Sequence, residues 1–121
     1  MKLPHIFGDS TGHSQLGEIE LLQATGAGGS GPRSALQPVS YWQMSVSEPG
    51  DLTDFQPTDM NRLMAVLSGQ VDVTVSNGDV ISLVRGDMLY QTDLSGQGHK
   101  MKFVGNEPCM MLNMAMVGTL R

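Results

Sequence analysis

Seven Lys and Arg residues are scattered through 121 positions, against twelve Asp and Glu, and nowhere do they form a run. A chain with a formal charge of −5 and no basic stripe has nothing with which to track a phosphate backbone, so nucleic acid is excluded as an expected partner. Cysteine is nearly absent: Cys109 alone can form no internal disulfide, and its place in the run Cys109-Met110-Met111-Leu112 reads as a small buried hydrophobe. No stretch approaches the roughly 20 consecutive apolar residues needed to span a bilayer. Met1 to Asp9 also lacks a basic region leading into an apolar core. The expectation is a cytoplasmic protein with no membrane partner. Helix-period patterning is scarce too, and 121 residues suffice for one packed core but not two.

Strand signals are abundant instead. Val71-Asp72-Val73-Thr74-Val75 alternates with a period of two between Gly69 and Ser76-Asn77-Gly78. Asn77-Gly78, whose residues both tolerate positive φ, then leads into Val80 to Val84, which predicts an antiparallel hairpin. Arg85-Gly86-Asp87, Ser95 to Gly98 and Gly105 to Pro108 punctuate three further strands, at Met88 to Gln91, His99 to Val104 and Cys109 to Val117. Turns at this interval indicate an all-β sandwich or barrel. Upstream, Val39 to Val46 reads as a strand and Gly17 to Leu22 as an edge strand, with Ala24 to Pro38 a glycine-rich loop between them. Thr25 to Gly31 has the glycine content of a phosphate loop, but neither a following Lys-Ser/Thr nor a helix to present its N-terminus. The predicted organisation is a barrel over residues 39–121, with an N-terminal edge strand and loop over 1–38 belonging to the same domain.

The spacing Gly50-x5-Gln56-x-Thr58-x3-Arg62-x6-Gly69 resembles the first cupin motif, Gly-x5-His-x-His-x3-Glu-x6-Gly. Gly86, Thr92, Gly96, His99 and Phe103 resemble the second, Gly-x5-Pro-x-Gly-x2-His-x3-Asn, with two extra residues between Thr92 and Gly96. The stretch Asp93 to His99 also looks like an ending that recurs in a bacterial subgroup of small cupins. The resemblance covers about Val39 to Val117. It implies a small single-domain cupin: a double-stranded β-helix, or jelly-roll barrel, commonly a homodimer, with a divalent metal held at the centre of the barrel.

The positions that would hold this metal contain Gln56, Thr58, Arg62 and His99. Imidazole is a good ligand, an amide carbonyl a weak one and a hydroxyl a poor one, and a guanidinium stays protonated and cannot ligate. If Arg62 points inward, the resemblance implies a pocket that has exchanged its metal for a fixed cation suited to an organic anion. If it points outward, it pairs with Asp54 or Asp59 at the surface. Strand parity leaves both open, because Met64 and Val66 on one face are matched by Leu63, Ala65 and Leu67 on the other. The expected site comprises Gln56, Thr58, Arg62, Met64, Tyr90, His99, Met101 and Phe103. His99 is the candidate catalytic residue and, if a metal binds at all, its ligand.

No cofactor is expected, and a divalent metal is the alternative. Met44, Met64, Met88, Met101, Met110, Met111, Met114 and Met116 read first as adaptable core packing and, in the functional reading, as an apolar cavity lining, with Tyr90 and either Tyr41 or Trp42 as its aromatic walls. His5 and His13 are read as surface residues. The expected function is small-molecule binding without a metal. A metal-dependent oxygenase, isomerase or lyase using His99 is one alternative, and a non-catalytic sensor or scaffold is another.

Overall fold

The structure, a computed structural model, describes residues 1–24 and 31–121. Eleven strands follow in chain order among the described residues. The first two, β1 (Lys2–Gly8) and β2 (Ser14–Glu20), form an antiparallel hairpin. A two-residue ribbon, β3 (Gln23–Ala24) and β4 (Arg33–Ser34), flanks most of the stretch with phosphate-loop glycine content, of which residues 25–30 lie outside the described residues. The rest are β5 (Val39–Ser47), β6 (Arg62–Ser68), β7 (Gln70–Val75), β8 (Val80–Val84), β9 (Met88–Gln91), β10 (His99–Val104) and β11 (Cys109–Met116). Among the described residues no helix is long and apolar enough to cross a membrane.

The strands form a six-stranded sheet, β2-β1-β9-β6-β11-β5, and a three-stranded sheet, β10-β7-β8. The expected hairpin is present, with Gln70↔Val84 through Thr74↔Val80 in register. Its turn uses positive φ only at Gly78 (104°). Asn77 instead accepts the Asp79 N–H through its side-chain oxygen at 2.8 Å, a local bond that fixes the turn without a left-handed Asn.

Alternation explains the core. Val71, Val73 and Val75 are fully buried, while Gln70, Asp72 and Thr74 are only partly covered. With Leu83 and Phe103 they face Met64, Val66, Leu89 and Met111 of the larger sheet. A second cluster, Leu63, Tyr90, Met116 and Leu120, covers the other face of that sheet, helped by Leu3 and Ile19.

β1 has no counterpart in the sequence reading. It joins the barrel by parallel pairing with β9, His5↔Tyr90 and Ile6↔Gln91, which puts β2 at one edge of the larger sheet and β5 at the other. The segment after β5 runs irregularly along β10. Gly50 N–H donates to Phe103 O (2.7 Å), Thr53 N–H to Met101 O (2.9 Å), and Gln56 and His99 exchange both backbone bonds at 3.0 Å. These bonds carry the first motif frame onto the strand that holds His99.

Candidate functional site

A cavity of about 600 Å³ opens between β5, the segment from Thr53 to Met60, and β10. Of the eight expected site residues, Gln56, Thr58, Arg62, His99, Met101 and Phe103 line it. Met64 and Tyr90 do not. Met64 shares the inward parity of Arg62 but is fully buried in the core, where its sulfur lies 3.8 Å from Gln91 Nε2. Tyr90 points to the opposite face because its neighbour Gln91 takes the inward direction. Its hydroxyl accepts the Leu120 N–H at 3.2 Å, and its ring stacks on His5 with centroids 4.9 Å apart.

The lining is also more polar than the methionine content suggested. Met101, Met111 and Met114 reach the cavity, but Met44 and Met110 are exposed outside it, Met64 is in the core, and Met88 and Met116 belong to the second cluster. Gln43, Ser45, Ser47 and Asn113 fill the wall instead. Tyr41 is the aromatic wall, and Trp42, one residue along the strand, faces out.

His99 is the best-defined group. Only 6% exposed, it places Nδ1 2.7 Å from Oδ2 of Asp93, which is fully buried. The same oxygen accepts the Ser14 hydroxyl at 2.8 Å, and the Asp93 carbonyl accepts Thr58 N–H at 3.0 Å. A carboxylate on Nδ1 holds the proton there and leaves Nε2 as an acceptor toward the cavity. That arrangement suits an imidazole that accepts a hydrogen bond from a ligand or takes its proton. Asp93 carried no role in the sequence reading. A carboxylate within a Gly/Ser turn reads as solvated, and its partners Ser14 and His99 lie 79 and 6 residues away.

Arg62 combines the two expected orientations. It lines the cavity, yet its Nη2 donates to Asp59 Oδ1 at 2.7 Å, also at the cavity wall. The lone cation expected inside is therefore a neutralised pair. Its side chains are 31% and 70% exposed, so the pair is held by no more than about 1 kcal/mol. Thr58 is buried, and its hydroxyl donates to Met60 O at 2.9 Å. The four motif positions do not fit a transition metal: His99 offers one nitrogen, Thr58 is engaged and Arg62 is cationic. Among the described residues no group of three or more His, Cys, Asp or Glu is arranged to hold one.

His5 and His13 are half-buried, not the surface residues expected. His5 bonds Thr92 Oγ1 at 2.7 Å through Nε2, and burial lowers its pKa from the ordinary 6.5, opposed by the field of Asp93. A histidine whose folded pKa is depressed costs stability as pH falls from 6.5 toward that lower value, because the unfolded chain takes the proton first. The melting temperature is expected to fall between pH 7.5 and 5, and less steeply in His5→Gln. Equal slopes in the two proteins would show that His5 does not contribute.

With this geometry in hand, three solved structures are informative. An uncharacterized conserved protein with a double-stranded β-helix domain from Klebsiella pneumoniae aligns over 81% of each chain at 21% identity, with a TM-score of 0.55. The fold is that of a cupin. A cupin domain from Bordetella pertussis (13% identity, 69% of this chain and 93% of that one) matches with a TM-score of 0.50. The cupin domain of Schizosaccharomyces pombe Cnp3 (15% identity, 86% and 73%) gives the same score. No family model and no curated protein matches the sequence. At these identities the likeness establishes the cupin barrel and leaves the chemistry to the residues of this chain.

Proposed function

We propose that this cupin binds a small organic acid in its barrel cavity without a metal, with His99 and Arg62 as the two recognition points. The observation that carries the reading is the buried Asp93–His99 pair, which commits Nδ1 to the carboxylate and turns Nε2 to a cavity large enough for a small molecule. A hydroxyl or other proton donor of the ligand meets Nε2. A ligand carboxylate competes with Asp59 for the Arg62 guanidinium, a feasible exchange because that surface pair is weak and the fork geometry of arginine suits any carboxylate. Gln43, Gln56 and Asn113 supply amides for further polar groups, and Met101 and Phe103 cover the ligand's carbon skeleton.

A thermal-shift screen of small hydroxy acids and other organic acids tests this. At least one acid is expected to raise the melting temperature of the wild type by several degrees, less in Arg62→Ala and not at all in His99→Ala, as preferential binding to the folded state requires. Acids that stabilise all three proteins equally, or none of them, would refute the assignment. Elemental analysis supplies a second arm: stoichiometric Mn, Fe, Ni or Zn in purified wild type that disappears in His99→Ala would overturn the metal-free reading.

A further inference from the structure

A carboxylate on Arg62 and one hydroxyl on His99 leave most of the cavity's polar wall without a role. Strand register lays that wall out. Gln91, Arg62, Ala115 and Tyr41 stand opposite one another across β9, β6, β11 and β5, and Asn113 and Gln43 belong to the next row on the same face. All six line the cavity. With strands about 5 Å apart and alternate residues about 7 Å along each strand, the backbone position of Asn113 lies roughly 8 Å from that of Arg62, and Gln43 roughly 12 Å. A ligand that engages both rows has a longer chain or ring than a simple hydroxy acid.

The wall is built from groups that both donate and accept, as a sugar hydroxyl does. Few of them are used within the protein. Asn113 commits one amide hydrogen to Ser45 Oγ at 3.0 Å, and the Tyr41 hydroxyl meets the Met60 sulfur at 3.0 Å. Gln91 is the decisive case. It is only 1% exposed, yet its amide makes no hydrogen bond among the described residues beyond a weak 3.8 Å contact from Nε2 to the Met64 sulfur. A buried amide left without a partner costs stability, and a methionine would fill the same volume without that cost. Its register opposite Arg62 puts this amide beside the place assigned to the carboxylate.

We propose that the ligand is a sugar acid, an aldonic or uronic acid whose carboxylate meets Arg62 and whose hydroxyls are read by Gln91, Asn113 and Gln43. This rests on the organic-acid reading of the same cavity and adds the chemistry of its remaining wall. Ala115, small and placed between Arg62 and Tyr41, leaves floor space for the carbon skeleton, and the Tyr41 ring closes that row. An acid without the hydroxyls leaves the amides unmatched, which is how a site built to bond hydroxyls rejects the analogue that lacks them.

Titration calorimetry on the full chain with propionate, lactate, gluconate, glucuronate and glucose tests the assignment. Gluconate or glucuronate is expected to bind at least tenfold more tightly than lactate, propionate or glucose. Gln43→Ala, at an exposed position, should remove most of the difference between the sugar acid and lactate. Gln91→Met separates recognition from folding: it should raise the melting temperature of the ligand-free protein and weaken sugar-acid binding at least tenfold. An amide kept for structure would lower that temperature and leave binding intact, and this result overturns the proposal. Equal affinities for lactate, gluconate and glucuronate, all lost in His99→Ala, overturn it too and leave the organic-acid reading standing. Binding of no acid overturns both. Glucose bound as tightly as the sugar acids overturns the role given to the carboxylate, and the proposal with it.

Discussion

Asp93→Ala is expected to lower stability by roughly 3–5 kcal/mol, through the loss of a buried acceptor shared by two donors. For a chain of this length that corresponds to a fall in melting temperature of about 10–20 °C. The size follows from what the carboxylate holds. Its Oδ2 accepts from His99 Nδ1 at 2.7 Å and from the Ser14 hydroxyl at 2.8 Å, and all three residues are buried. Truncation leaves two buried donors without acceptors, and each unsatisfied group adds about 1–3 kcal/mol. Ser14 lies at the start of β2, so the loss also unfastens the N-terminal hairpin from the turn before β10. Asp93→Asn, nearly the same shape, should cost about half as much. It should nevertheless abolish the fixed tautomer, because an amide does not single out the Nδ1-protonated imidazole as a carboxylate does. Nitrogen chemical shifts of the His99 ring read this directly. Wild type should show Nδ1 protonated and Nε2 not, and Asp93→Asn a mixture. An Asp93→Ala protein within 1 kcal/mol of wild type would show that the pair is not a structural element.

The contrast between Asp93 and the hairpin at Asn77-Gly78 separates what was legible in the sequence from what was not. The hairpin was legible because its causes are local: a period-two run, a turn dipeptide and a second run within fifteen residues. The motif spacing was legible for the same reason, and it brought Gln56, Thr58, Arg62 and His99 to one cavity. What failed depended on distant partners. β1 pairs in parallel with β9, more than eighty residues away, so no turn announces it, and Pro4 within Lys2–Gly8 weakens the strand pattern. Asp93 is buried by groups that become neighbours only after the two sheets close. Tyr90 was misplaced because Leu89, Tyr90 and Gln91 are all buried, which leaves β9 without a polar face to set its parity. Arg62 and Asp59 stand three residues apart, but sequence alone does not say that a pair of this kind sits on a cavity wall and not simply in solvent.

Gly98→Ala is expected to be the most damaging glycine-to-alanine change among the described residues, with stability lost by about 4 kcal/mol or more and no soluble ligand-competent protein at 37 °C. Gly98 has φ of 76°, in the left-handed region where a Cβ alone costs roughly 1–2 kcal/mol. A Cβ there would also collide with the carbonyl of Gln56 and the nitrogen of Pro57, both backbone atoms that no rotamer change can move aside. The neighbouring bond pair is the double bridge between Gln56 and His99, at 3.0 Å in each direction, so relief of the clash means parting the first motif segment from β10. Ser76 N–H donates to the Gly98 carbonyl at 3.0 Å, which ties the same residue to the end of β7 and blocks retreat to the other side. Gly78→Ala provides the control. Its φ is also positive, at 104°, but open space lies where a Cβ would stand, so it should lose only the conformational contribution, about 1–2 kcal/mol. Denaturant unfolding of the two variants gives the difference. If Gly98→Ala is no less stable than Gly78→Ala, the close approach of the two motif segments is not what the site is built on. If it is less stable by about 2 kcal/mol or more, the glycine next to His99 is kept for space as well as for φ, and the cavity wall depends on that contact.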